Sequence, residues 1–160
     1  MRIYVPATLA DLSELHAQSR FSPAPIRAHA VTDEVRSLFT SSDEEEQEYM
    51  AMMAAAAESV LLLAGTQSSA RRVVVAADVD DRLVRRRGPE PTSVEVTAEI
   101  SLRQCASVHI DDEGAQADVA RVLGALAGRQ GGQLSPQDQD CLGDHELLWF
   151  ATQEIPDLLK

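Results

Sequence analysis

The chain has 160 residues, the length of one ordinary domain, and its 44% hydrophobic and 25% charged residues exclude the disordered and membrane-embedded classes. Its 26 acids against 14 bases leave a net charge of −12, which repels nucleic-acid backbones and anionic lipid surfaces and argues against both as partners. All the bases but Lys160 are arginine, so a Walker-A phosphate loop, a Schiff-base enzyme and a kinase-type site each lack the interior lysine they need.

Cys105 and Cys141 provide neither a disulfide framework nor a Cys-x-x-Cys pair for zinc or redox chemistry. The opening Met1 to Pro6 lacks the apolar length and small-residue cleavage site of a signal peptide, and the alanine-rich run from Ala51 to Ala57 is too short to span a bilayer. The expectation is a single domain over 1–160, located in the cytoplasm.

In chain order, Arg2 to Pro6 reads as a short strand with Ile3 and Val5 on one face, stopped by Pro6. Thr8 and Asp11 form an N-terminal capping pattern ahead of Leu9, Leu12 and Leu15, which predicts a helix ending near Ser19. Phe21 to Pro25 reads as a loop, Ile26 to Val31 as a second strand, and Thr32 to Phe39 as a brief helix. Ser42 and Glu45 open the longest helix, roughly Asp43 to Ala64, with Tyr49, Met52, Met53, Ala56, Val60 and Leu63 as its expected buried stripe and Gly65 as its stop.

Arg72 to Val79 is apolar without alternation, the pattern of a central strand covered on both faces. Asp80 to Thr92, with its arginines, reads as an exposed loop. Val94 to Ile100 alternates as a half-exposed strand, and Ala106 to Ile110 as a fifth. Val119, Val122, Leu123 and Leu126 mark a helix that ends before Gly128. Ser135-Pro136 with Asp138 starts another helix, and Asp144 to Glu154 is expected to form a last helical segment, broken by Pro156. The fold class that follows is α+β: one domain with a mixed sheet of about five strands and five to six packed helices, an α/β three-layer arrangement being the alternative.

Each candidate for chemistry has a plainer structural reading. His145-Glu146-Leu147-Leu148-Trp149 begins like a zinc-protease helix, but Trp149 stands where the second histidine belongs. Asp78, Asp80 and Asp81 end one strand, and His109, Asp111 and Asp112 end another. If those strands were adjacent and parallel, Asp78, His109 and Asp111 would converge as a magnesium or acid–base site, although Asp is also the usual turn and cap residue. Glu44, Glu45, Glu46 and Glu48 suit the positive end of a helix as well as a partner surface. Arg82 and Arg85 to Arg87 suit a solvated loop as well as a phosphate, with no aromatic platform beside them. Gly124 and Gly128 do not make a dinucleotide fingerprint, and no Gly-x-Ser-x-Gly elbow is present. No cofactor is implied.

The C-terminal segment stands out because Leu147, Leu148, Trp149, Phe150, Ile155, Leu158 and Leu159 carry more apolar surface than one face of a short helix hides. Either the protein's own core covers it, or Leu147, Leu148, Trp149, Phe150, Leu158 and Leu159 form an interface with a protein partner or a second copy. The opening Met1-Arg2-Ile3-Tyr4-Val5-Pro6-Ala7-Thr8-Leu9, the middle Val73-Val74-Val75-Ala76-Ala77-Asp78 and the closing Asp144 to Leu159 together resemble a family of small uncharacterised actinobacterial proteins. That resemblance implies a GC-rich bacterial origin, consistent with the arginine bias, and no activity. The expected function is therefore a non-catalytic interaction or regulatory role, with a small metal-dependent enzyme using strand-end carboxylates as the alternative.

Overall fold

A computed structural model describes residues 1–160. Its centre is a seven-stranded sheet in the order β5-β6-β3-β1-β4-β8-β9. These strands are β1 (Arg2–Ala7), β3 (Ile26–Ala30), β4 (Val73–Asp78), β5 (Val84–Arg86), β6 (Ser93–Val96), β8 (Cys105–Asp111) and β9 (Leu147–Phe150). A separate two-stranded ribbon joins β2 (Arg20–Phe21) to β7 (Ile100–Ser101). The helices are α1 (Leu9–Gln18), α2 (Asp33–Leu38), α3 (Glu44–Leu63), α4 (Gln116–Ala127), α5 (Pro136–Gly143) and α6 (Ile155–Leu158). The α+β class is as the patterning predicts. The sheet is wider than five strands, and each of its pairings is antiparallel.

β4 occupies the central position its unbroken apolar run predicts, pairing with β1 along Arg2↔Asp78 to Ala7↔Val73 and with β8 on its other side. Pro6 does not stop β1. The partner across β1 from β4 is β3, whose pairing is confined to Ile3 and Tyr4, so the missing amide of Pro6 falls where that ladder has already ended.

Alternation along the strands separates two cores. On one face Ile3, Val5, Val73, Val75, Val108 and Ile110 pack with Leu12 and Leu15 of α1 and Ile155 of α6. On the other, Tyr4, Val74 and Ala76 receive Ala51, Ala55 and Ala56 of α3. Beyond the sheet, Val60 and Leu63 of α3 meet Val119, Val122 and Leu126 of α4 and Leu142 of α5.

α3 is capped as a reciprocal box, Asp43 accepting from the Glu46 amide at 2.9 Å while Glu46 accepts from the Asp43 amide at 3.1 Å. Ala56, Val60 and Leu63 of the expected stripe are buried, but towards the N-terminal half the buried face is turned away from Tyr49, Met52 and Met53. The alanines and Ser59 lie against the sheet, because small side chains let a helix seat closely, while Tyr49 is 49% exposed and Met52 and Met53 are only half-buried. Ser59 fixes that seat: its hydroxyl donates to the Ala7 carbonyl at 2.7 Å and accepts from the Val73 amide at 3.0 Å.

Three local expectations change. Arg85 and Arg86 belong to the edge strand β5 rather than to a loop. The alternating stretch from Val94 to Ile100 is split, Val94 and Val96 staying in the main sheet while Ile100 pairs with Phe21 in the ribbon. The segment expected as a helix from Asp144 to Glu154 instead contains β9, followed by the short α6. Four consecutive apolar residues are as compatible with a strand as with a buried helix turn, and pairing with β8 decides between them.

Candidate functional site

β9 ends the sheet, and β8 is its only strand neighbour, in the register Val108↔Phe150, His109↔Trp149, Ile110↔Leu148 and Asp111↔Leu147. It is anchored at both ends. The Arg72 guanidinium donates to the His145 carbonyl at 3.0 Å just before the strand, and Glu154 accepts from the Ala151 amide at 2.7 Å just after it. Phe150, Leu158 and Leu159 lean on the large core and Leu147 on the α3 side, so four of the six expected interface residues are partly sheltered by the chain itself. Trp149, 62% exposed, and Leu148, 44% exposed, are the two that face outward. An edge strand with open backbone groups and bare apolar side chains is a surface that invites pairing.

The opposite side of α3 borders a second feature, a cleft of about 1180 Å³ between α3, the β5–β6 turn and α5. At its floor the His29 ring is held by two partners, Nε2 at 2.7 Å from Glu58 and Nδ1 at 2.9 Å from the Thr92 hydroxyl. The hydrogen bond to His29 is the main reason the Glu58 carboxyl is held below its usual range, and the nearby Arg87 and Arg27 charges add to this. An ionised Glu58 accepts only, so Nε2 donates to it. Arg87 approaches Glu58 at 3.7 Å. Of these residues only Arg87 stands out in the sequence, as the end of an arginine run. His29 lies inside an apolar strand and Glu58 on a long helix, and no local spacing signals that residues 29 positions apart share a floor.

The profile of Family of unknown function (DUF6912) matches residues 1–159. The chain belongs to this family. No curated protein and no solved structure matches it. Membership in DUF6912 brings no activity with it, and no organism.

Within this DUF6912 domain, the strand-end carboxylates do not meet. β4 and β8 are adjacent but antiparallel, so Asp78 and Asp111 stand at opposite ends of the pair, which corrects the convergence that parallel strands would have given. Asp78 is held in its ionised form mainly by Arg2, whose Nε and Nη2 donate to its two oxygens at 2.7 and 3.1 Å. Asp111 is fully buried and accepts from the Arg72 amide at 2.8 Å and from its guanidinium Nη2 at 2.8 Å, while its carbonyl accepts from Arg71 at 2.7 Å. His109 contacts the Ser107 hydroxyl at 3.0 Å, and burial, with the nearby Arg2 charge, pushes its pKa down.

Elsewhere too, side chains singled out for chemistry have partners in the fold. His145 binds Asp118 at 2.7 Å and precedes a strand, not a helix. Arg82 pairs with Asp80 at 2.7 Å and Arg86 with Glu34, Arg87 lines the cleft, and Arg85 is exposed without a side-chain partner. No group of three or more His, Cys, Asp or Glu side chains is placed to hold a metal ion, and no helix is long and apolar enough to cross a membrane.

Proposed function

We propose that this domain is a non-catalytic interaction protein that associates with a second copy of itself along the open edge of β9. One observation carries the reading: Trp149 and Leu148 stand bare on a strand whose outer edge has no neighbour. Because each pairing in the main sheet is antiparallel, a second β9 laid antiparallel continues the pattern, and a twofold axis lets the same four residues serve both copies. In the register centred on Trp149, the two indoles meet near the axis and Leu148 of each copy faces Phe150 of the other. Aromatic anchors of this kind concentrate interface energy.

Each copy brings a charge of −12, so association works against repulsion that salt screens, the Debye length falling from about 14 Å to about 4 Å between 0.05 and 0.5 M salt. Sedimentation velocity over a concentration series at those two salts tests the reading. Dimer formation that tightens with salt and disappears in Trp149→Lys is the expected result, and a monomer under every condition contradicts it.

A second reading rests on the acids around the strand, Asp144, Glu146 and Glu154, which suit an extended segment of a different protein flanked by basic residues. Salt then weakens binding instead of strengthening it, so the sign of the salt effect separates the two.

A further inference from the structure

We propose that the cleft beside α3 is a binding site for a small amphiphilic anion, an organic carboxylate with an apolar body. Two independent features of the cleft point to this ligand. The first is a wall of α3 that the sheet does not use: Tyr49, Met53, Ala57 and Leu61 follow one another at four-residue steps and line the cleft, a strip about 18 Å long at 1.5 Å per residue. Tyr49 and Leu61 are exposed there, although the helix has its own buried alanine face against the sheet. An apolar strip left over after the core is made is a surface for something else.

The second is the charge on the floor. Arg27 and His29 lie two residues apart on β3 and therefore on one face of the sheet, the face that carries α3. Arg87 comes in from the end of β5, with its guanidinium 3.7 Å from Glu58 and 3.5 Å from the Ser93 hydroxyl, both long for a guanidinium contact. Glu58 already commits one oxygen to His29, and Glu90 at the rim and Glu95 across from Arg27 are the other acids nearby. Arg27 and Arg87 keep donor faces free for a carboxylate, which matches a guanidinium fork in shape as well as charge. The lining sets Arg27 and Arg87 against Glu58 and Glu90, so the cleft is near balance in a chain whose net charge is −12.

The cleft deepens from Arg27, which is exposed, and Arg87, 31% exposed, to the His29 and Glu58 side chains, 7% and 16% exposed. That depth suits a small molecule whose head reaches the floor while its body lies along the α3 strip, and the cleft has the room for one. This site is separate from the β9 edge and stands whether or not the chain self-associates.

The experiment is a fluorescence titration of the full chain with the apolar sulfonate 8-anilinonaphthalene-1-sulfonate, followed by displacement with decanoate, decylamine and inorganic phosphate. The expected result is saturable binding that decanoate displaces and decylamine and phosphate do not. Binding is expected to fall at least about tenfold in Arg27→Gln/Arg87→Gln and in Leu61→Glu, the second leaving the floor's charges intact, and to be unchanged in Trp149→Lys. Thermal melts establish that each variant is folded before its binding is read. The proposal is overturned if the double arginine variant binds as the parent does, if decylamine or phosphate displaces the probe as well as decanoate does, or if Trp149→Lys removes the signal.

Discussion

Arg72 and Asp111 form an ion pair that is 1% and 0% exposed, and its role is to join three parts of the chain: the start of β4, the end of β8 and the link into β9. Removing one member strands the other charge away from water, so Asp111→Ala is expected to lower unfolding free energy by about 3–5 kcal/mol in urea titration, while the paired change Arg72→Met/Asp111→Leu restores most of the loss. His109 gives stability a pH dependence of definite sign. Its folded pKa lies below the ordinary value, so the unfolded chain takes up the proton first, and stability is fully present above about 6.5 and declines as pH falls from there toward the lowered value. His109→Gln is expected to remove that part of the decline, read as the difference between the two stability–pH curves. The cysteines should differ as sharply: burial pushes the Cys105 thiol up to about 12, whereas Cys141 is partly exposed and only accepts a hydrogen bond from Arg121 at 2.9 Å. Native labelling with a thiol reagent is expected to modify Cys141 first and Cys105 only on unfolding.

At the scale of elements, those defined by local chemistry were legible in the sequence and those defined by partners were not. The caps at Thr8 and Ser135 and the stop at Gly65, with its φ of +78°, are written in neighbouring residues, whereas the cap of α3 is Asp43 with Glu46, one residue on from the expected Ser42 and Glu45. β4 was legible because burial on both faces leaves an unbroken apolar run. β9 was not, since a four-residue apolar run has no period to read, and β5 was hidden by arginines that an edge strand tolerates. The orientation of α3 was legible in part: Ala56, Val60 and Leu63 are buried as expected, whereas Tyr49 and Met53 line the cleft and Ala51, Ala55 and Ser59 take the buried side. Ser59 is what holds that orientation, so Ser59→Ala is expected to leave the Ala7 carbonyl and the Val73 amide without partners and to cost about 1–3 kcal/mol in urea unfolding. The candidate cleft was illegible for the same reason: its floor joins β3, α3 and the β5–β6 turn, which only the fold brings together.

For the whole molecule, the excess apolar surface at the C-terminus was legible but its form was not. The tail divides its side chains, with Ile155, Leu158 and Leu159 in or against the large core and Leu148 and Trp149 outside it. Deleting Pro156 to Lys160 therefore strips packing from the core and tests stability more than association, whereas substituting Trp149 touches only the edge. Trp149 is also the only tryptophan, which makes it a reporter of that edge. The most direct test is its emission as a function of protein concentration at high salt. Self-association through β9 predicts a shift from the spectrum of a water-exposed indole to a blue-shifted one as concentration rises, in step with the increase in sedimentation coefficient. An emission that stays that of an exposed indole while the protein remains monomeric would contradict it.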